Sequence, residues 1–414
     1  MKKFKMMLSL ALFTLCITLL SAAPAQAKVA LNRTSLTLRE GEKATLKITG
    51  TKKTVTWTSS DKTVAAVNKK GKVTAKSVGT ATILAKVGKT TKKCTVTVTV
   101  NYARIYEYQI KYGGVAINKL LRISDAELVI PETIEGYPVV ELADGLFKNC
   151  TGLVTVRLPS GVSAITDEMF YGCSALKEVQ GEGIVSIGSY AFYDCASLTT
   201  LPALSGITSV GDYTFYNCDS LTALTLPASV RSIGAYAFYD CDSLAAFFGP
   251  AELSSIGDCA FKSCDSLMLV NGNQQVRTIG TECFADCRRL GNVSLGNQAA
   301  RLGDGCFSGC EALAAITLPG ALTAIPDRCF YNCYALSSLT IPAGVTSIGT
   351  MAFFNCIRLT TLVIPGTGIM SIAPDACAGV PPINLHIYWS AAAVPYIDSW
   401  AQGMGIAADH VHAI

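Results

Sequence analysis

Histidine is nearly absent. The 414-residue chain has three, His386, His410 and His412, all within its last 29 residues. The commonest general base and metal ligand is therefore missing from most of the chain, which argues against most hydrolase and metalloenzyme readings. Charge is also scarce: 15% of residues are charged, where about a quarter is typical. Past Leu20 no run reaches the roughly 18 apolar residues that a membrane-spanning helix needs. No Gly-rich phosphate loop and no zinc-cluster spacing is present. No catalytic residue, metal site or cofactor is expected, and no nucleic-acid partner. What is plentiful is apolar residue, at 50% of the chain, and that excludes a disordered protein.

The scarce charge is unevenly placed. Residues 28–99 hold 16 Lys and Arg against three acids, Glu40, Glu42 and Asp61, a balance of +13; from residue 100 onward the balance is −12. Opposite signs in two stretches point to separate units. Ahead of both, Lys2, Lys3 and Lys5 precede the apolar run Met6 to Leu20, and Ala25-Gln26-Ala27 supplies a small-x-small cleavage pattern. Residues 1–27 read as a secretory signal peptide, with the mature chain starting near Lys28. Cys16 lies inside the apolar run and is not read as a lipid acceptor. The protein is expected to be secreted, extracellular or wall-associated, and any retention on the cell to be non-covalent.

Residues 28–100 alternate with period two, as in Leu36-Thr37-Leu38, Val73-Thr74-Ala75 and Val96-Thr97-Val98. Short Thr- and Val-rich runs broken by Gly41, Gly50, Gly71 and Gly79 predict a small antiparallel sandwich. Trp57 is expected to plug its core, and Cys94 to be a small buried residue. The run Val55-x-Trp57-x-Ser59-Ser60-Asp61, with Val64-Ala65-x-Val67, Gly71-x-Val73-x-Ala75 and Gly79-x-Ala81-x-Ile83, resembles a group 2 bacterial immunoglobulin-like (Big) domain. The resemblance implies a spacer or adhesive module. The +13 charge reads either as a solvated, solubilising surface or as attachment to an anionic cell-wall polymer.

The rest of the chain is periodic. Phe-x-x-Cys recurs at Phe147, Phe170, Phe192, Phe215, Phe238, Phe261, Phe284, Phe307, Phe330 and Phe353; eight of the nine steps are 23 residues and one is 22. A period held this long is the signature of a solenoid. In one copy, Phe215 and Cys218 are spaced for one face of a short helical turn and Leu224 and Leu226 for one face of a strand. Pro227 ends the strand, and Gly234 is expected to permit the turn into the next copy. No copy buries its apolar side alone; stacked copies share a core. The stretches Ala237–Leu244 and Thr340–Gly349, with the lead-in Leu128–Cys150, resemble BspA-like leucine-rich repeats. The resemblance implies a fold of short strands with short helical turns, and a role in adhesion or recognition. Pro202, Gly249 and Gly272 disturb the strand position, and Cys377 replaces an eleventh phenylalanine. The expected division is a Big domain at 28–100, a lead-in or N-terminal cap at 101–131, the solenoid at 132–380 and a C-terminal cap at 381–414.

Sixteen cysteines remain after residue 27. Ten form a regular column, which favours buried free thiols over disulfides. The doublets Cys283/Cys287, Cys306/Cys310 and Cys329/Cys333 are where a bridge is possible. Asp219, Asp242 and Asp265 recur in register as turn or cap residues. The candidate ligand site is the positions two before and one after the phenylalanine, both tyrosine in three consecutive copies: Tyr190 and Tyr193, Tyr213 and Tyr216, Tyr236 and Tyr239. They either cover the turns by packing on one another or form an aromatic surface for a protein or glycan. Phe248, in a strand position held by Thr225, Thr317 and Thr340 in other copies, is a second candidate. The sequence therefore reads as a surface binding protein that contacts a host or neighbouring-cell protein or glycan. A structural envelope component and an enzyme without a recognisable motif are the alternatives.

Overall fold

A computed structural model describes residues 28–123, 125–365, 368–389 and 394–414. The signal peptide read at 1–27 lies outside them. The chain divides into two compact units, the first ending at Tyr102 and the second beginning at Ala103.

In the first unit the alternation becomes two facing sheets. Ser35–Arg39 pairs in parallel with Thr90–Thr99, which continues antiparallel to Gly79–Val87 and then Thr56–Ser59. Lys43–Thr45, Lys72–Ala75 and Ala65–Val67 make the other sheet. Leu36, Leu38, Ile83, Val96 and Val98 point inward with the fully buried Cys94. The Thr and Lys residues between them take the solvent side, as a half-buried strand requires. Trp57 differs from the expected central plug. It is only partly buried and packs against the core cluster, closing over Gly71, where an added Cβ would come within 2.8 Å of its ring.

The second unit opens on a four-stranded sheet in the order Tyr106–Lys111, Gly114–Leu120, Tyr137–Leu142, Thr133–Ile134. The later copies then build three parallel ladders, the first of them interrupted. In the first, Ala246–Phe248, Leu269–Asn271 and Asn292–Ser294 stack in register. In the second, two-residue strands such as Ser232–Ile233, Ser255–Ile256 and Thr278–Ile279 do the same. The third is made by the turns: Phe192, Phe215 and Phe238 each donate their backbone N–H to the next copy, at 2.8 Å. Between the ladders the ten phenylalanine rings are fully buried. They stack face to face with centroids 5.1–5.7 Å apart. Each such burial is worth about 1.5–3 kcal/mol, so the column is a principal source of stability.

The turn itself differs from the short helical turn expected. Two residues before and two after each phenylalanine the backbone is left-handed, as at Tyr190 (φ 57°) and Asp194 (φ 56°). Successive N–H groups reach back three residues, Tyr193 to Tyr190 and Cys195 to Phe192. A positive φ stops a right-handed helix from propagating, and the one α-helix among the described residues is Val394–Gly403. The residue two after the phenylalanine is Asn149, Gly172, Asp194, Asn217 or Asp240 in successive copies, types that tolerate this conformation.

The column cysteines are free and nearly all buried. From Cys173 to Cys356 each column thiol donates to the phenylalanine carbonyl of the preceding copy: Cys195 to Phe170, Cys241 to Phe215 and Cys264 to Phe238 at 3.1 Å, Cys218 to Phe192 at 3.2 Å. This explains cysteine rather than alanine: the position needs a small apolar residue that also carries a donor. Cys377 occupies the expected phenylalanine place, fully buried, with the Phe353 N–H on Ala376 at 2.7 Å.

Three local expectations change. Gly234 has no positive φ; instead a Cβ there would lie 2.7 Å from the Asp212 amide, so the constraint is close approach of neighbouring copies. Gly249 and Gly272 do not disturb their strands, which end intact at Phe248 and Asn271 just before them. Pro202, which has no N–H to give, does coincide with a reduced ladder, a single bridge from Glu178 to Thr200. In the next copy Leu224 and Leu226 face inward as expected, at 7% and 9% exposure, but form no strand. At the C-terminal end His386–Trp389 adds in parallel to Thr361–Ile364, and Val411–Ala413 to His386–Trp389. The indole of Trp400 donates to the Ala373 carbonyl at 3.2 Å.

Candidate functional site

The left-handed turn decides where the tyrosines go. Tyr190, Tyr213 and Tyr236 have φ of 57°, 56° and 55°, at a column position where Gly145 and Gly305 serve other copies. For a residue with a Cβ this conformation costs roughly 1–2 kcal/mol. Glu168, Cys259, Glu282, Arg328 and Met351 hold the same conformation in other copies, so the strain belongs to the turn of the repeat, and what sets the three tyrosine copies apart is their side chains.

All six tyrosines come together, in two columns. Tyr190, Tyr213 and Tyr236 stack with centroids 4.7 Å apart. Tyr193, Tyr216 and Tyr239 stack at 4.6 and 4.8 Å. The columns meet obliquely, Tyr190 to Tyr193 at 5.9 Å and 39°. A seventh tyrosine, Tyr171, extends the second column at 4.6 Å from Tyr193. It escaped the sequence reading because its copy has Glu168 at the partner position. Lys148 closes this end, its Nζ lying 4.5 Å over the Tyr171 ring and 2.5 Å from Glu168. All seven rings are half-buried. Their faces are taken up by one another, so ring edges and hydroxyls are what the row presents to a partner. The Tyr193 hydroxyl is pushed up to about 12 by burial and then by the Asp194 charge. Tyr236 is also pushed up to about 12, first by its hydrogen bond with Cys259. Both therefore stay protonated donors at neutral pH.

Carboxylates border the row. Asp194 accepts from the Asn217 amide at 2.9 Å. Burial first, and then the nearby Asp242, hold the Asp219 and Asp240 carboxyls above the usual range. Asp265 lies 3.8 Å from Arg288. Asp219, Asp242 and Asp265 sit in turns directly after the cysteine, as expected, while the aspartates whose carboxylates accept a backbone N–H from the following copy, at 2.7–2.8 Å, are a different column, Asp167, Asp212, Asp258 and Asp327. The charge of Asp194 reaches the Tyr193 hydroxyl, and the charges of Asp240 and Asp194 reach that of Tyr216.

Phe248 projects from the strand face, 57% exposed, while Phe247 beside it points inward and packs on Phe261 at 4.6 Å. The three histidines, all in the last 29 residues, converge through the C-terminal strand pairing. His386 Nδ1 and His412 Nε2 are 3.1 Å apart, and the His386 and His410 rings 4.1 Å. Among the described residues no group of three or more His, Cys, Asp or Glu is arranged to hold a metal ion, and no helix is long and apolar enough to cross a membrane.

Two family models match the chain. The BspA type leucine rich repeat region, in six copies, covers 140–268 and 254–384. The group 2 bacterial Ig-like domain covers 27–98. No curated protein matches. Among solved structures, a leucine-rich repeat protein from Bacteroides ovatus is 23% identical with a TM-score of 0.52, covering 69% of each chain. A leucine rich cell surface protein from Faecalibacterium prausnitzii is 26% identical over 69% of this chain and 93% of that one, with a TM-score of 0.43. The pneumococcal vaccine antigen PcpA is 17% identical over 74% and 95%, with a TM-score of 0.39. The first of these shares the repeat fold.

Proposed function

From a chain that belongs to the BspA-type leucine-rich repeat family, with a group 2 bacterial Ig-like domain ahead of the repeats, we propose a secreted or wall-associated protein that adheres to host or neighbouring-cell surfaces through its solenoid. The family is generally one of surface proteins that bind, and both domain types are typically non-enzymatic. The observation that carries the reading is the row of seven half-buried tyrosines, three of them held in a left-handed backbone. Tyrosine is favoured at interfaces because it offers large area and a polar tip at small entropic cost. With the ring faces already stacked, the row suits a protein partner that meets edges and hydroxyls, and the carboxylate border favours Lys or Arg on that partner. The +13 sandwich is the proposed hold on an anionic wall polymer.

A screen of the full chain against host matrix proteins and intact neighbouring cells tests this. Replacing Tyr190, Tyr193, Tyr213, Tyr216, Tyr236 and Tyr239 together by Phe keeps the stacks and removes the hydroxyls. The expected result is at least a tenfold loss of partner binding with an unchanged melting temperature. A chain that binds nothing in the screen leaves a structural envelope component as the better reading; a variant that binds as before puts the contact outside the tyrosine row.

A further inference from the structure

The strand face of the later copies is a second surface of different chemistry. In each strand the middle residue points inward, as Phe247, Val270 and Leu339 do, and the first and third point out. From Ala246 to Val363 neither outward column contains Lys, Arg, Asp or Glu, although the chain from residue 100 carries −12. Earlier copies have Arg157 and Glu178 in the same columns. Between Leu269 and Gly344 this face sinks into an open depression of about 800 Å³. Asn292, Ser294, Thr317, Ser338 and Thr340 line it. All five are exposed, and their side chains hydrogen-bond to nothing among the described residues. Phe248 stands two strands away in the column of Ser294, its ring without an aromatic neighbour among the described residues.

We propose that this face binds a neutral oligosaccharide, with the Phe248 ring stacked on a sugar and the row of hydroxyls and amides holding the sugar hydroxyls. A charged partner would lose hydration there and meet no counter-charge. A sugar hydroxyl both donates and accepts, and so do Ser and Thr hydroxyls and the Asn amide. The apolar C–H face of a hexose needs a flat ring with a free face, which Phe248 offers and the stacked tyrosines do not. Strands stack about 4.8 Å apart, so the ladder repeats its polar groups at close to the length of one sugar unit. The assignment rests on the solenoid being a binding module, but it uses positions of the repeat other than the tyrosine row, so the two readings fail separately.

Titration calorimetry of the full chain with linear neutral hexasaccharides (β-1,3-glucan, β-1,4-glucan, α-1,6-mannan and β-1,4-xylan) tests it at 0.05 and 1 M salt. At least one should bind, with affinities within twofold at the two salts, because no exposed charge pair is there to be screened. Phe248→Ala should weaken binding at least tenfold and Thr317→Lys should abolish it, each with an unchanged melting temperature, as expected for exposed positions. The six-tyrosine variant should bind as the parent does. Binding to none of the four, affinity that falls with salt, or indifference to Phe248→Ala overturns the proposal. So does competition by an uncharged peptide with no effect of any glycan. Loss of glycan binding in the tyrosine variant would instead assign the sugar to the tyrosine row.

Discussion

Alkali should melt the solenoid, because its core is a column of thiols that ionise only when unfolded. Burial pushes Cys195, Cys218, Cys241, Cys264, Cys310 and Cys333 well above the ordinary 9.0. Cys173 and Cys356 are pushed up to about 12 by the same cause. Their stabilisation is fully present below 9.0, where the thiol is neutral in both states. It is lost as pH climbs from 9.0 toward the folded values, since only the unfolded chain releases the protons. One unit above 9.0 each thiol costs about 1.4 kcal/mol, so eight cost on the order of 11 kcal/mol. That is comparable to the whole stability of an ordinary domain, about 5–15 kcal/mol. The geometry adds to this, because a thiolate has no proton to donate to the phenylalanine carbonyl that each thiol faces at 3.0–3.2 Å. Circular-dichroism melts in reductant at pH 7, 8, 9 and 10 are the assay. Little change is expected from 7 to 8, and cooperative loss of structure by about pH 10. Replacing Cys218, Cys241 and Cys264 by Ala should flatten the alkaline slope even though it lowers the starting stability. A melting temperature at pH 10 within a few degrees of that at pH 8 would refute the buried-thiol reasoning.

Phe238 is fully buried between Phe215 at 5.2 Å and Phe261 at 5.1 Å, so Phe238→Ala should cost about 3–5 kcal/mol; denaturant titration showing less than 1 kcal/mol would place the ring outside the core. Retention of the full chain on an anionic wall polymer should weaken as salt rises, because exposed charges are screened beyond about 10 Å at 0.1 M; equal retention at 1 M salt would leave the +13 of residues 28–99 as a solubilising surface only.

The repeat was legible because every copy must bury the same few positions, and the Phe, Cys and Leu columns record that constraint directly. The turn was less so. A spacing of three between Phe215 and Cys218 suits a helix and a pair of consecutive turns equally well; only the Asn, Gly and Asp two residues after the phenylalanine distinguish them. Gly234 was expected to be needed for its φ, but the need comes from the neighbouring copy's backbone at Asp212, a contact that one copy read alone does not contain. The six tyrosines were found from their spacing, whereas Tyr171 was passed over because the pattern asked for tyrosine at two positions when stacking needs only one. The thiol-to-carbonyl bonds were hidden for a similar reason. They link Cys241 to Phe215, 26 residues back, and depend on stacking rather than on any local pattern. The histidine cluster needed the pairing of His386–Trp389 with Val411–Ala413.

A solenoid separates its fixed positions from its free ones, and function is most readable in the free ones. The inward phenylalanines, thiols and strand-centre residues are held by packing, and the capping aspartates by backbone hydrogen bonds. Outward positions have no such requirement, so chemistry that persists there over consecutive copies needs another cause. Two such runs exist. Tyrosine persists beside the turn from Tyr171 to Tyr239, its rings stacked from copy to copy. The absence of charge persists on the strand face from Ala246 to Val363, where threonine, serine and asparagine leave their hydrogen-bonding groups unused. The two runs lie at different positions of the repeat, one beside the turn and one on the strand face. A partner on the tyrosines therefore leaves the uncharged face open, and the two proposed surfaces, one for a protein and one for a sugar, share no residue of the array.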